Sequence, residues 1–185
     1  MCLIGGWTIA AMLQPPRFNQ VTDTLSALAA LGATDRWFMT LVFLVVGVCD
    51  AVTGVALQPA APVGRLILIA GGVAGTLVAQ NPEHAGGSVI HAVWAAVGLA
   101  ALAAWPAAAW RRDPSAPWGL RQAACFGAVA VLFLLVAWFV AELVTGARQV
   151  GLAERVLGAA QAAWPLIVVL SCRASTTRCG SLSLR

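Results

Sequence analysis

Residues 122–141 have the sequence QAACFGAVAVLFLLVAWFVA, which contains no charged side chain. A helix crosses the hydrocarbon core of a bilayer with about 20 consecutive apolar residues. This stretch therefore predicts a transmembrane helix. Four further stretches are similarly poor in charge. Residues 66–82 and 156–172 contain no charged residue, residues 84–110 contain only two His, and residues 37–64 contain only Asp50.

The composition of the whole chain agrees with several such helices. Of its 185 residues, 61% are hydrophobic and 10% are charged, whereas a soluble domain carries roughly 25% charged residues. A soluble protein of this size could not bury so much apolar surface. The net charge of +4 comes from scattered Arg residues, and the longest basic run is Arg111-Arg112. We therefore expect membrane lipids, and not nucleic acid, as partners.

Pro, Gly and charged residues bound the predicted helices. We predict an all-α integral membrane bundle of six transmembrane helices, the first short or truncated, which forms a single domain over residues 1–172. A flexible cytoplasmic tail is expected over residues 173–185. The predicted spans are 2–14, 36–57, 64–80, 88–110, 120–142 and 153–172.

The first span is too short to cross a bilayer, since residues 2–14 extend only about 20 Å as a helix. Two interpretations are open. The chain begins inside a helix because the assigned start codon lies too late, which we favour, or the helix is a short piece that packs in the bundle or lies at the interface.

Arg residues near the span ends predict the orientation, because cytoplasmic loops carry an excess of positive charge. The side that holds the N-terminus, the second and fourth loops and the C-terminal tail carries seven Arg, and the other side carries four. We therefore place both termini in the cytoplasm. The absence of Lys and the abundance of Ala, Gly and Val are typical of a GC-rich bacterial genome, so the expected location is the inner (plasma) membrane.

Most unusual polar residues fall on the predicted outer side. The segment FNQVTDTLSALAALGATDRW (residues 18–37) is too polar to cross the membrane. We predict a short amphipathic helix that begins near Thr22 or Thr24, with an apolar stripe of Leu25, Leu28 and Leu31, and that lies on the outer membrane surface or as a lid over the bundle. A binding role for Asp23 and Ser26 is the alternative.

Five charged or titratable residues near the outer side bear on a candidate site. If residues 84–91 are helical, His84 and His91 share one face, and His91 is expected to hydrogen-bond a neighbouring helix. Arg155 does not suit a helix N-terminus, so we expect either a carboxylate partner, Asp23 or else Glu142, or a side chain that extends to the outer lipid headgroups. No pattern specifies a metal or another cofactor, and none is predicted.

Two polar residues and a glycine pattern lie inside the spans. Asp50 is an acid well within a helix, where a charge costs roughly 2.5–3.5 kcal/mol, and Gln161 precedes Pro165, which should kink its helix. Gly71 and Gly75 form a close-packing face, used either inside the bundle or in a homo-oligomer.

Three features occur together in this sequence: the loop TDTLSALA with Asp23 and Ser26, the outer His91 and the segment GLAER (residues 151–155). In these features the chain resembles a bacterial multi-pass membrane family, the domain of unknown function 998. The resemblance covers about residues 14–170. It implies six helices and no established activity. A more distant likeness is to the eukaryotic Frag/DRAM/Sfk membrane proteins, which are associated with membrane lipid organisation.

These observations favour a non-enzymatic protein that binds or senses a lipid headgroup or a small ligand. Its outward polar pocket would contain Asp23, Ser26, His91, Glu154 and Arg155. Two alternatives are an intramembrane metal-dependent lipid hydrolase that uses His84, His91 and Asp23, and a small transporter that uses Asp50 and Gln161.

The orientation is testable with a reporter fused after Arg185. Because seven of the eleven Arg lie on the predicted inner side, we expect a reporter that works only in the cytoplasm to be active there. Activity restricted to a reporter that works only outside the cytoplasm would overturn the orientation.

Overall fold

The computed structural model describes the backbone of residues 2–84 and 87–182, and side chains as far as residue 175. Within these residues the chain forms six α-helices and two 3₁₀ turns, without a strand. The helices are α1 Cys2–Met12, α2 Arg36–Ala56, α3 Pro62–Gln80, α4 Val89–Ala109, α5 Gln122–Thr145 and α6 Val150–Leu182. The 3₁₀ turns are Ser26–Ala29 and Trp118–Leu120.

The ends of the helices follow local sequence signals. Pro62 opens α3, where its missing N–H is no loss. The Ser88 hydroxyl oxygen caps α4 by accepting a hydrogen bond from the amide of His91 at 3.3 Å. α5 is followed by Gly146, which adopts the left-handed conformation (φ 64°) that favours glycine. The predicted all-helical membrane fold is confirmed, and the first five spans match the helices to within three residues.

The last helix is longer than predicted. The sixth span was expected to end at residue 172, but the backbone of α6 remains helical through Leu182. The expected change from span to tail at residue 173 is therefore not seen in the backbone. Pro165 leaves the Gln161 carbonyl without its usual helical donor, yet α6 continues past it.

The first helix is a short element packed within the bundle. α2 to α6 are each long and apolar enough to cross a membrane, whereas the eleven residues of α1 extend about 17 Å. Leu3, Trp7 and Ala10 are buried on one face of α1, against Val42 of α2 and neighbouring side chains. The late-start interpretation stays a prediction.

The six helices stand in chain order around a ring. Each helix packs against its neighbours in sequence, and α1 also contacts α6, which closes the ring. We call the end that holds the loops 13–35 and 146–149 and the residues 81–84, 87 and 88 the lid end. The opposite end is closed by a group of buried side chains, the sealing cluster: Leu57, Ala60, Leu68, Trp105, Ala109, Leu120 and Val168.

Glycines allow α2, α3 and α4 to approach closely. Gly47 of α2 and Gly72 of α3 are both buried. Gly71 faces Leu102 of α4, and Gly75 faces Gly47. The predicted glycine face is therefore occupied within one chain, and a homo-oligomer through it stays a prediction.

An arginine from α3 closes the C-terminal end of α2. Arg65 donates from Nε to the Gly54 carbonyl at 3.0 Å and from Nη2 to the Val55 carbonyl at 2.6 Å. Its Nη1 donates to the Gln58 side chain at 3.0 Å. The last carbonyls of a helix lack partners within it, and positive charge is favourable there. Arg65 therefore stabilises the end of α2.

Replacing Gly72 by Ala should destabilise the bundle. The added Cβ would lie 2.5 Å from the Gly47 carbonyl oxygen and 2.6 Å from the Ala51 nitrogen, so α2 and α3 must separate. Such overpacking costs about 1–3 kcal/mol, which should lower the midpoint of thermal unfolding in detergent.

Gly127→Ala is the matched control, because no heavy atom lies within 4 Å of its added Cβ. Its midpoint should equal or slightly exceed that of the wild type. Equal midpoints for Gly72→Ala and Gly127→Ala would contradict the close contact between α2 and α3.

Candidate functional site

Residues 151–155 of α6, which we call the clasp, hold the loop 19–26 against the lid end. Gly151 is buried, and a Cβ built there would collide with the main chain of Asp23. A side chain at this position would therefore push the loop away. This close approach explains why glycine stands at position 151, the first residue of the GLAER segment.

Arg155 binds main-chain oxygens of the loop. Its Nη1 donates hydrogen bonds to the carbonyls of Gln20 (2.6 Å), Asp23 (2.8 Å) and Gly151 (2.9 Å). The side chain is only 6% exposed. Its Nε and Nη2 atoms are buried without a hydrogen-bond partner among the described residues. Arg155 thus fixes the loop through peptide groups.

The predicted carboxylate partner of Arg155 is wrong. In the described part of the chain, Arg155 forms no ion pair with Asp23 or Glu142. The Asp23 carboxylate instead accepts the amide of Asn19 at 2.8 Å, and that of Glu142 accepts the amide of Gln149 at 2.9 Å. Both carboxylates accept hydrogen bonds from nearby backbone amides, and the guanidinium of Arg155 donates to backbone carbonyl oxygens instead.

Glu154 binds the part of the loop that follows Asp23. Its Oε2 accepts a hydrogen bond from the Leu25 amide at 2.6 Å. The Leu152 amide donates to the Val21 carbonyl at 3.0 Å. Arg155 therefore binds C=O groups of the loop, at Gln20 and Asp23, and Glu154 binds an N–H group, at Leu25.

The lid over the bundle is the 3₁₀ turn Ser26–Ala29. The Thr24 hydroxyl oxygen accepts the amide of Ala27 at 3.1 Å, as expected for a residue that precedes a helical turn. Leu25 and Leu28 are buried in a cluster with side chains of α1 and α2. The predicted packing of this segment as a lid is confirmed.

The lid is shorter than the predicted amphipathic helix. Its apolar stripe ends at Leu28, and Leu31 is 52% exposed. The amide of Leu31 donates to the Glu83 carbonyl in the α3–α4 loop at 2.8 Å. This contact satisfies the amide outside a helix, so the chain leaves the helical path after the 3₁₀ turn.

His91 connects the lid to the ends of α3 and α4. Its Nε2 lies 3.0 Å from the Ser26 hydroxyl oxygen, and its Nδ1 lies 2.8 Å from the Asn81 carbonyl oxygen. The side chain is 4% exposed, and Oε1 of Glu83 lies 3.7 Å from Nε2. His91 was predicted to hydrogen-bond a neighbouring helix, and its partners are the residue that follows α3 and the first residue of the 3₁₀ turn.

His84 does not join this group. It lies outside α4, which begins at Val89, and its side chain is exposed. The predicted shared helical face of His84 and His91 is therefore wrong. The described His, Cys, Asp and Glu side chains include no group of three placed to hold a metal ion. The metal-dependent hydrolase alternative lacks its ligand set in these residues.

A cavity of about 310 Å³ lies beneath the lid, inside the ring of helices. Its wall comes from all six helices and the lid, and it is mainly apolar. Five polar side chains line it at the lid end, and the first two of them hydrogen-bond each other: Ser26, His91, Thr24, Glu83 and Glu154. Pockets of this volume and character suit small ligands.

Asp50 and Gln161 line the same cavity farther from the lid. From His91 to Leu102, two lining residues of α4, the wall extends about 16 Å. Gln161 donates to the Leu99 carbonyl at 2.9 Å, whereas no hydrogen bond or ion pair is found for Asp50 among the described residues. The sealing cluster lies beyond them, at the opposite end of the bundle. The transporter alternative stays a prediction.

Three of the five predicted site residues line the cavity: Ser26, His91 and Glu154. Asp23 and Arg155 lie at the same end, but they hold the loop. Sequence analysis did not single out Asn81, which acts through its main-chain oxygen, or Glu83. The one available signal was the position of both residues beside Pro82, in the loop that leads to His91.

The clasp is testable with Arg155→Gln. This change removes the donor to three carbonyls, and a hydrogen bond to a charged group contributes about 1.5–3 kcal/mol. The amides of Leu25 and Leu152 should then exchange hydrogen for deuterium roughly 10–100-fold faster, which mass spectrometry can measure. Arg148→Gln, at an exposed position of the same end, should change neither amide. Unchanged exchange in Arg155→Gln would contradict the clasp.

Comparison with known proteins identifies the family. No curated protein and no solved structure matches the chain. The model of the family described as "Protein of unknown function (DUF998)" matches residues 2–171, which include α1 to α5 and α6 as far as Ser171. The resemblance drawn from Asp23, Ser26, His91 and the GLAER segment is thereby confirmed. The chain belongs to the DUF998 family of proteins of unknown function.

Proposed function

We propose that the protein binds one chain of a membrane lipid, or a single-chain amphiphile, in the cavity beneath the lid. One observation carries this proposal: a mainly apolar cavity has polar side chains gathered at its lid end. An amphiphile has the same distribution of polar and apolar groups. Its chain would lie along α4 and α6, and its head would meet Ser26, Glu83, His91 and Glu154.

The polar end of the cavity would determine which amphiphile binds. An apolar chain that moves from the bilayer into the cavity gains little hydrophobic free energy, because lipid tails are as apolar as the wall. Hydrogen bonds to the head, made away from water, must therefore supply the selectivity. Glu83 and Glu154 offer carboxylate oxygens, which favour a head that donates hydrogen bonds, such as a hydroxyl or an ammonium group.

The lid end is proposed to face away from the cytoplasm. This orientation follows from the seven Arg on the opposite side and the four on this side. The amphiphile would then come from the outer leaflet of the inner (plasma) membrane.

The binding proposal is testable by native mass spectrometry of protein purified in mild detergent. We expect one lipid or single-chain amphiphile per chain. Ala95 lines the cavity, so Ala95→Phe should fill it and reduce the bound fraction by about tenfold, a loss of about 1.4 kcal/mol in binding free energy.

Ala100→Phe is the matched control on the same helix, because Ala100 is exposed and does not line the cavity. It should retain the bound amphiphile at the wild-type level. Wild-type protein without any bound amphiphile, or equal occupancy in the two variants, would refute binding in this cavity.

A further inference from the structure

We propose that Ser26 is a nucleophile activated by His91, and that the protein cleaves an ester bond of the amphiphile held in the cavity. This inference rests on the proposed binding function and adds a reaction to it. The substrate class is a carboxylic ester with one apolar acyl chain.

The hydrogen bonds of His91 orient its ring for this role. The Asn81 carbonyl oxygen can only accept a hydrogen bond, so its contact with Nδ1 at 2.8 Å assigns the ring proton to Nδ1. In the neutral ring, Nε2 is then an acceptor, and the Ser26 hydroxyl at 3.0 Å donates to it. A hydroxyl that donates to a fixed imidazole nitrogen is the arrangement of an activated serine.

The surroundings of His91 favour transfer of the hydroxyl proton. The ring is 4% exposed, so its orientation is fixed by its surroundings. Oε1 of Glu83 lies 3.7 Å from Nε2, where its charge would stabilise the imidazolium that forms when His91 takes the proton. Glu83 would act through His91 and is a positioning residue.

The substrate can reach Ser26 from the cavity. Ser26, His91 and Thr24 all line it, next to the apolar wall that would hold the acyl chain. The Leu25 amide is occupied by Glu154. The Thr24 hydroxyl accepts a hydrogen bond from Ala27, which leaves its own proton free. Thr24 is therefore the donor available to stabilise the oxyanion that develops on the ester.

The reaction would proceed in two balanced steps. In the first, Oγ of Ser26 bonds to the ester carbonyl carbon, His91 Nε2 takes the hydroxyl proton, the bond from that carbon to the alcohol oxygen breaks, and His91 returns the proton to the departing alcohol. In the second, water attacks the acyl-Ser26 ester with His91 again as the base. A fatty acid leaves, and the Ser26 hydroxyl is restored.

The test uses an alkyl fluorophosphonate with a long chain, added to full-length protein after detergent washing has removed bound lipid. Ser26 would bond to phosphorus and displace fluoride. We expect peptide mass spectrometry to find the adduct on Ser26, and none in Ser26→Ala. Ser115→Ala, which removes an exposed hydroxyl at the opposite end, should be labelled at the wild-type rate.

His91→Asn separates catalysis from structure. The Asn amide can replace Nδ1 as a donor to the Asn81 carbonyl, but it provides no base at the position of Nε2. Loss of a general base typically lowers a rate by about 10²–10⁴-fold, so labelling should slow at least about 100-fold. The Leu25 amide, which donates to Glu154, should keep its wild-type rate of hydrogen exchange in His91→Asn and so report that the lid is still held in place.

Two results would overturn the proposal. One is an unlabelled Ser26 in wild-type protein that binds an amphiphile before washing, which leaves the binding function standing. The other is labelling of His91→Asn at the wild-type rate. If wild-type protein neither binds an amphiphile nor reacts, both the binding function and the reaction fail.

Discussion

A buried guanidinium organises the lid end of this protein. Arg155 gives one nitrogen to three backbone carbonyls, two of them in the loop 19–26. Burial of a charge is unfavourable unless hydrogen bonds to protein groups replace those to water. Movement of the loop away from α6 would remove these hydrogen bonds and is therefore unfavourable. The position of the loop places the lid, and the lid places Ser26 opposite His91. The geometry of the cavity mouth therefore depends on a contact that does not itself line the cavity.

The cavity arises from unequal packing around the ring. On one side, Gly47 and Gly72 bring α2 and α3 into backbone contact, and Gly71 allows α4 to follow. On the other side, α1, α5 and α6 contact their neighbours less extensively, and Leu3 of α1 lines the cavity. Tight packing of three helices fixes the frame, and looser packing of the other three leaves the interior partly unfilled. The sealing cluster then closes the far end.

The sequence predicted the membrane class and the helices, because apolar spans lack charged residues and because proline and charged residues mark their ends. It also brought Ser26, His91 and Glu154 to one end of the bundle. It did not predict the partner of Arg155, since main-chain carbonyls have no signature in a sequence. The role of Asn81 was hidden for the same reason. His84 was misplaced because periodicity was extended into residues that precede the Ser88 cap.

The clasp recognises peptide groups, and this determines how the loop can vary. Val21 contributes its carbonyl to the contact with α6, and Gln20 contributes its carbonyl to Arg155. Substitution of either side chain leaves these main-chain oxygens in place. A one-residue insertion or deletion would shift the register of every acceptor, and proline at position 25 would delete the amide that Glu154 binds. The length of this loop is therefore constrained more strongly than its composition.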